Sequence, residues 1–245
     1  ITMVDRWFGR VLDKLDALNL WDKTMVIVTA DHGHYLGDHG WMGKPNAPMY
    51  NTLTHTPLFI WHPESPLMGR RVGALTAAVD LYATKLEALG TEAGPETHSR
   101  SLMPLLRGDT DRHRDWAMYG YWGSTVNVTD GRHTYLAPCR DDMPAECYST
   151  MMINPHGWFL PVRVPQDAEA GRFLPYTDTP VWRYKEKAYT RHQEPLLYDV
   201  QNDPGQEHNL AGQGQAAEAE MRDLLVAALR ELEAPQNVLT LLGVE

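Results

Sequence analysis

Asp31 and His32 stand side by side where an apolar run, Met25-Val26-Ile27-Val28, ends, and Gly33 follows them directly. An Asp carboxylate supplies hard anionic oxygen and a His supplies a neutral imidazole, so the pair can hold a divalent cation from one sharp turn. Gly33 would let that turn form. Gly37, Gly40 and Gly43 then carry the chain round to Lys44, whose compact ammonium could reach back to an anion bound on the metal. Cation, anion and counter-charge would meet in one place. The competing reading is that Asp31 and His32 only cap a turn, and a bare Asp-His-Gly triplet does not separate the two.

The elements around these residues decide whether they can meet. The run Met25 to Val28 is short, β-branched and uncharged, which suits a strand covered on both faces, as in the parallel sheet of an α/β domain. Ligands of such sheets bind beyond the carboxyl ends of the strands, where Asp31 and His32 would sit. Val4 to Leu20 has apolar residues at helical spacing, at Trp7, Phe8, Val11, Leu12, Leu15 and Leu18, and predicts an amphipathic helix ended by Asn19 and packed on that sheet. After a loop rich in Pro and Asn, Thr56 to Trp61 reads as a second buried strand with His55 at its entrance. His55, and His34 directly after the Asp-His-Gly turn, are candidate substrate-contacting residues; each could instead be hydrogen-bonded within its own loop. Leu75 to Leu89 predicts another helix, stopped by Gly90.

From about Arg114 the pattern changes to short alternating strands near Trp116–Tyr121, Ser124–Val128 and Arg132–Leu136, with Asp130-Gly131 as a type I′ hairpin signal. Pro195 to Val200 supplies a fourth strand, and the periodic stretch Ala216 to Glu233 predicts a helix covering that small antiparallel sheet. Between Ala137 and Pro180 no period is sustained, although Trp158, Phe159 and Tyr176, with Trp182 just beyond, argue for packing. The expected fold class is therefore α/β, a parallel or mixed sheet with helices, followed by a small α+β subdomain with a four-stranded antiparallel sheet and a terminal helix.

Composition narrows the function classes. The 245 residues, 43% of them hydrophobic, suffice for one large domain or one domain plus a smaller one. A formal net charge of -10 argues against a general nucleic-acid binder, which needs clustered Lys and Arg. The longest apolar runs are far short of the roughly 20 residues that span a bilayer, so no membrane segment is expected. The chain opens without a basic and apolar leader pattern, and the compartment stays open. Cys139 and Cys147 cannot build a disulfide framework; they read as two free thiols, with one bridge closing a small loop as the alternative.

Thr29-Ala30-Asp31-His32-Gly33 with Gly43-Lys44 resembles the sulfatase family of the alkaline phosphatase superfamily, whose members carry (S/T)-(A/D)-D-(H/N)-G and then Gly-Lys. The resemblance continues in Tyr50-Asn51 with His55, Pro57 and Leu58, in Val79-Asp80-Leu81, and in Ser101-Leu102-Met103-Pro104-Leu105-Leu106-Arg107-Gly108, where Arg100 departs from the family's Gly. It extends to Leu196-Leu197-Tyr198-Asp199 through Asp203-Pro204 and Asn209-Leu210, similar to the family's E-L-Y-D-L-x-x-D-P-x-E-x-x-N-L. The resemblance implies an alkaline-phosphatase-like fold and sulfuric ester hydrolysis. Asp31 and His32 would be two ligands of a single divalent cation, Ca²⁺ with Mg²⁺ or Mn²⁺ as alternatives. Lys44 would be the catalytic contact to the sulfate, and His34 and His55 would line the substrate. A two-metal site, as in the phosphatase branches, is a rival, but those branches normally lack the Gly-Lys.

One departure matters most. The family's C-x-P-S-R or S-x-P-S-R segment, whose Cys or Ser becomes formylglycine, does not occur: Cys139 is followed by Arg140 and Cys147 by Tyr148. The resemblance therefore implies the C-terminal half of a sulfatase, with residues 1–110 from the catalytic domain and 111–245 as the C-terminal subdomain, working with an N-terminal portion that carries formylglycine. The implied partners are a sulfate-ester small molecule or sulfated sugar and that N-terminal portion. A phosphodiester or phosphonate monoester hydrolase of the same superfamily, and a non-catalytic anion-binding or structural subunit, are the alternatives.

Overall fold

A computed structural model describes residues 1–44, 48–150, 166–186 and 192–244. Helix α1 (Thr2–Ala17) ends at Leu18, and Asn19 follows in the left-handed conformation, φ 51°, as the sequence predicts. The Leu20 N–H closes the turn on the Leu15 carbonyl at 3.0 Å. The helix has its expected apolar stripe but not the expected packing: Met3, Val4, Trp7 and Val11 all stay more than half exposed.

Strand β1 (Val26–Thr29) leads into the hairpin of β2 (Tyr35–Leu36) and β3 (Met42–Gly43), then the single-turn helix α2 (Asn51–Thr54) and strand β4 (Leu58–Trp61). The expected parallel environment of β1 is corrected here. Its partner is β4, paired antiparallel from Val26–Trp61 to Thr29–Leu58, and among the described residues no strands pair in parallel. Nor is β1 covered on both faces: its residues are half-buried or exposed, and Phe59 on β4 is exposed. A β-branched run fixes that a strand forms, while its sense depends on which segment returns beside it. Trp21 and Trp61 pack edge to face at 5.1 Å beside this ladder, and the Trp61 indole donates to the Trp21 carbonyl at 3.2 Å.

Helix α3 (Asp80–Ala88) stops at Gly90, φ +75°, as predicted, but starts at Asp80 rather than Leu75. The reason is a buried carboxylate. Asp80 is fully buried; its Oδ2 accepts the Ala77 N–H at 2.9 Å and the Arg114 Nε at 2.8 Å, and its Oδ1 accepts the Arg100 N–H at 3.0 Å and the Arg114 Nη2. His113 Nε2 lies 3.0 Å from the same Oδ2, while Leu75 forms a β-bridge with Arg114 instead of joining the helix. The Pro-containing segment forms helix α4 (Met103–Arg107), closed by Gly108 at φ 79°.

The four-stranded antiparallel sheet appears where the alternation places it: β5 (Ala117–Tyr121), β6 (Thr125–Thr129), β7 (His133–Pro138) and, later, β11 (Leu196–Asp199), in the order β11-β7-β6-β5. The β6–β7 turn differs from the type I′ expectation. Gly131 alone is left-handed, and the Asp130 carboxylate secures the turn by accepting the Arg132 and His133 N–H groups at 2.8 and 2.6 Å. The stretch 137–180 is less irregular than its sequence: β8 (Ala145–Ser149) and β9 (Glu169–Gly171) flank β10 (Val181–Glu186) in a second antiparallel sheet. Tyr176 packs on His98, and Trp182 lies in β10. Trp158 and Phe159, like part of the loop after Lys44, lie outside the described residues. Cys139 and Cys147 are thiols, both pushed up by burial, to about 12 and about 11.

Helices α5 (Ala216–Glu231) and α6 (Gln236–Leu242) cover one face of the four-stranded sheet, where Met221, Leu225, Leu229 and Leu239 pack on Val126, Val128, Tyr135 and Leu197. The alternate residues point the other way. Thr125, Asn127 and Thr134 are polar, yet they are 1%, 0% and 2% exposed.

Burial acts to raise the Asp80 carboxyl, but the hydrogen bonds from Arg114 and the Arg100 and Ala77 backbones, with the Arg114 charge, outweigh it and hold the group below its ordinary value of 3.8. Its stabilisation is complete above the unfolded carboxyl's value and drains away as the pH falls through the lower folded one. Asp80→Asn, which strands Arg114 without its counter-charge, is expected to lower unfolding stability at neutral pH by about 3–5 kcal/mol. Denaturant titration at pH 7 and below pH 4 should show the difference between wild type and variant shrinking in acid.

Candidate active site

The antiparallel β1–β4 ladder sets the turn after β1 beside the segment before β4. The Gly33 N–H donates to the Leu53 carbonyl at 2.8 Å, locking Asp31–His32–Gly33 against α2, with His55 one residue beyond it. Gly33 is needed for this contact and not for a left-handed turn: its φ is not positive, but a Cβ there would stand 1.7 Å from the Thr52 carbonyl oxygen. The second hairpin brings in the lysine. Tyr35 pairs with Gly43 and Leu36 with Met42, so the register continued one step sets Lys44 opposite His34. Left-handed Gly37, φ 123°, and a 3-10 turn over Asp38–Gly40 make the reversal.

Asp31 and His32 are brought together. The Asp31 Oδ1 accepts the His32 N–H at 2.9 Å, and Oδ2 lies 3.3 Å from His32 Nε2. The other ring nitrogen, Nδ1, is 2.7 Å from the Gly33 carbonyl. A carbonyl can only accept, so that contact places a proton on Nδ1 and, in the neutral ring, leaves the Nε2 lone pair facing the carboxylate. This is the arrangement found in metal-ligating histidines, oriented through the second nitrogen. The Asp31 side chain is 85% exposed, and that of His32 36%, so the converging donors are open to an incoming ion. They are two donors against the roughly six to eight that Ca²⁺ takes, and among the described residues no group of three or more His, Cys, Asp or Glu forms.

Lys44 is exposed and, among the described residues, has no hydrogen-bond partner for its ammonium. His34 is also exposed, its Nδ1 3.0 Å from the Tyr35 carbonyl. His55, exposed too, follows the last residue of α2, and its N–H donates to the Asn51 carbonyl at 2.9 Å. The five predicted residues therefore lie on three segments that converge at one end of the β1–β4 ladder, with direct contact only between Asp31 and His32.

Several supporting residues escaped the sequence reading. Tyr35 is fully buried and donates to the Pro48 carbonyl at 2.8 Å; burial pushes its hydroxyl up to about 12. Left-handed His39 stacks on Tyr50 at 3.8 Å, and Tyr50 meets Tyr198 of the four-stranded sheet edge to face at 5.8 Å. Gln206 reaches the first residue of α2 from the loop after β11. Only its place in the D-P-x-E-like segment, where it stands for Glu, could have marked it.

The Sulfatase family model matches residues 1–91. An N-acetylglucosamine-6-O-sulfatase of Bacteroides thetaiotaomicron is 31% identical over 136 residues, covering 54% of this chain and 24% of that protein. A solved structure described as a complex with its substrate D-glucosamine-2-N,6-O-disulfate superposes with a TM-score of 0.66 at 19% identity, over 95% of this chain and 39% of that one. The phosphonate monoester hydrolase SpPMH of Silicibacter pomeroyi gives 0.61 at 25% identity, over 93% and 38%. The chain spans about a quarter of the length of the curated relatives it matches first. The matched segment holds the Asp-His-Gly turn and Gly43-Lys44, and over it the chain is similar to sulfatases.

Proposed function

We propose that this chain contributes part of the cation and sulfate site of a sulfuric ester hydrolase. The observation that carries the reading is the convergence of the Asp31 carboxylate and the His32 Nε2, 3.3 Å apart, with Nδ1 held by a carbonyl. Asp31 and His32 would hold one divalent cation, Ca²⁺ in the first instance and Mg²⁺ or Mn²⁺ as alternatives. When bound, such an ion supplies Lewis-acid polarisation of the ester's sulfuryl oxygens. Lys44 would lay its ammonium on the same oxygens and offset charge that builds up there, the kind of fixed electrostatic support that is usually the largest catalytic contribution. His34 and His55, exposed on flanking segments, would face the remainder of the substrate, a small sulfate ester or a sulfated sugar. The formylglycine nucleophile and the other ligands would come from a segment outside this sequence, which lacks the C-x-P-S-R pattern; residues 1–110 would belong with that segment's domain, and 111–245 would form the C-terminal subdomain.

Similarity to a phosphonate monoester hydrolase supports a second reading, in which the same residues serve a phosphonate or phosphodiester. Assays of the nucleophile-bearing enzyme on an aryl sulfate and a phosphate diester, each with and without Ca²⁺, separate the two; turnover of neither would leave a non-catalytic anion-binding role. Lys44→Ala should lower kcat by about 100- to 1,000-fold with an unchanged melting temperature, and wild-type turnover would remove Lys44 from the mechanism. Asp31→Asn should weaken cation affinity by more than roughly tenfold in calorimetric titration. An unaltered affinity would reject Asp31 as a ligand.

A further inference from the structure

Helix α2 is a single turn, too short to persist by its own propensity. Both of its ends are held by distant groups. At its C-terminal half, the Leu53 carbonyl takes the Gly33 N–H that fixes the Asp31–His32 turn. At its start, Tyr50 supplies no side-chain cap; the Asn51 N–H instead donates to Gln206 Oε1 at 2.6 Å, across a separation of 155 residues.

Gln206 is built to do this. It is 1% exposed and adopts the left-handed conformation, φ 54°, which costs a non-glycine residue strain and persists only where its surroundings impose it. Its Nε2 donates to Thr134 Oγ1 at 2.9 Å, so one amide joins α2 to the polar face of the four-stranded sheet. The loop that presents it is braced by Asp203, whose carbonyl accepts the Gln206 N–H at 3.0 Å and whose carboxylate accepts the Glu207 and His208 N–H groups. The fully buried side chains around this joint are polar where a sheet packed on a core would be apolar.

We infer that Gln206 is a positioning residue for the Asp31–His32 turn: it pins the start of α2 to the C-terminal sheet, and α2 in turn pins Gly33. Its importance for catalysis rests on the reading given under Proposed function, but the mechanical coupling does not. The joint would explain how a sheet remote in sequence sets the geometry of two donors at the end of β1. Both amide hydrogens in the relay, those of Asn51 and Gly33, report on it.

The test is residue-resolved amide hydrogen exchange on the intact protein, comparing wild type with Gln206→Leu, Gln206→Glu and Thr134→Val, alongside Ca²⁺ titration of each. Gln206→Leu should speed exchange at Asn51 and at Gly33 by roughly tenfold or more while the β6–β7 ladder amides keep their protection. Gln206→Glu should restore both, because its carboxylate still accepts from Asn51 and the Thr134 hydroxyl can reverse to donate. Acceleration at Asn51 with Gly33 unchanged would overturn the inference, since a merely local role moves only the first amide. If Gln206→Leu loosens the whole sheet, Thr134→Val decides: Gly33 must quicken there, and wild-type protection at Gly33 would equally overturn it. Coupled exchange in a nucleophile-bearing enzyme that binds no Ca²⁺ would keep the relay and sink the cation site.

Discussion

The site depends on the absence of one side chain. At Gly33 the backbone runs so close to Thr52 and Leu53 that even a methyl group would overlap a carbonyl oxygen. That proximity permits the hydrogen bond from Gly33 to Leu53, and the bond fixes where the Asp31–His32 turn ends relative to α2. Without it, the carboxylate and the imidazole would sit on a free loop, and their convergence would carry the entropic cost of ordering each time an ion bound. With it, the backbone from which both side chains project is fixed, and the Asp31–His32 and His32–Gly33 bonds hold the two groups together.

The remaining architecture extends this constraint outward. The β1–β4 ladder gathers the two ends of the 31–55 segment, the β2–β3 hairpin returns Lys44 to the same side, and Tyr35 and Tyr50 fill the space beneath. On the far side stands the four-stranded sheet with two unlike faces. One is an ordinary apolar core under α5 and α6. The other buries the polar residues Thr125, Asn127 and Thr134, and Gln206 links Thr134 to the site-bearing segment at Asn51. Buried polar groups carry a desolvation cost that only directional partners offset; here the Gln206 amide, bonded to Thr134 and to the Asn51 N–H, supplies such partners. The Asp80–Arg114 pair does similar work between α3 and the chain entering β5: a bidentate contact with three further hydrogen bonds admits one geometry.

The elements with strong local signals were legible. Asn19 and Gly90 end their helices in the left-handed conformation, and the alternation from 117 to 138 and from 196 to 199 places four strands in one antiparallel sheet. The errors share a cause. Leu75 to Val79 has helical spacing, but Leu75 bridges to Arg114 and the Asp80 carboxylate takes the Ala77 N–H, so the helix begins later. The alternation Thr125-Val126-Asn127-Val128-Thr129 reads as a sheet with one wet face, yet Thr125 and Asn127 on that face are buried.

The sequence by itself determined the candidate residues and their local setting: an Asp-His-Gly turn after a β-branched strand, a Gly-flanked lysine, and helices and strands whose periodicity and stop residues act within a few positions. Tertiary structure alone decided that β1 runs antiparallel to β4, that Gly33 serves close approach instead of a left-handed turn, and that an amide 155 residues away caps α2. The division has a physical origin. Dihedral preferences and side-chain spacing are properties of neighbouring residues, whereas strand sense, burial of a polar face and hydrogen bonds between remote segments exist only once the chain has closed on itself.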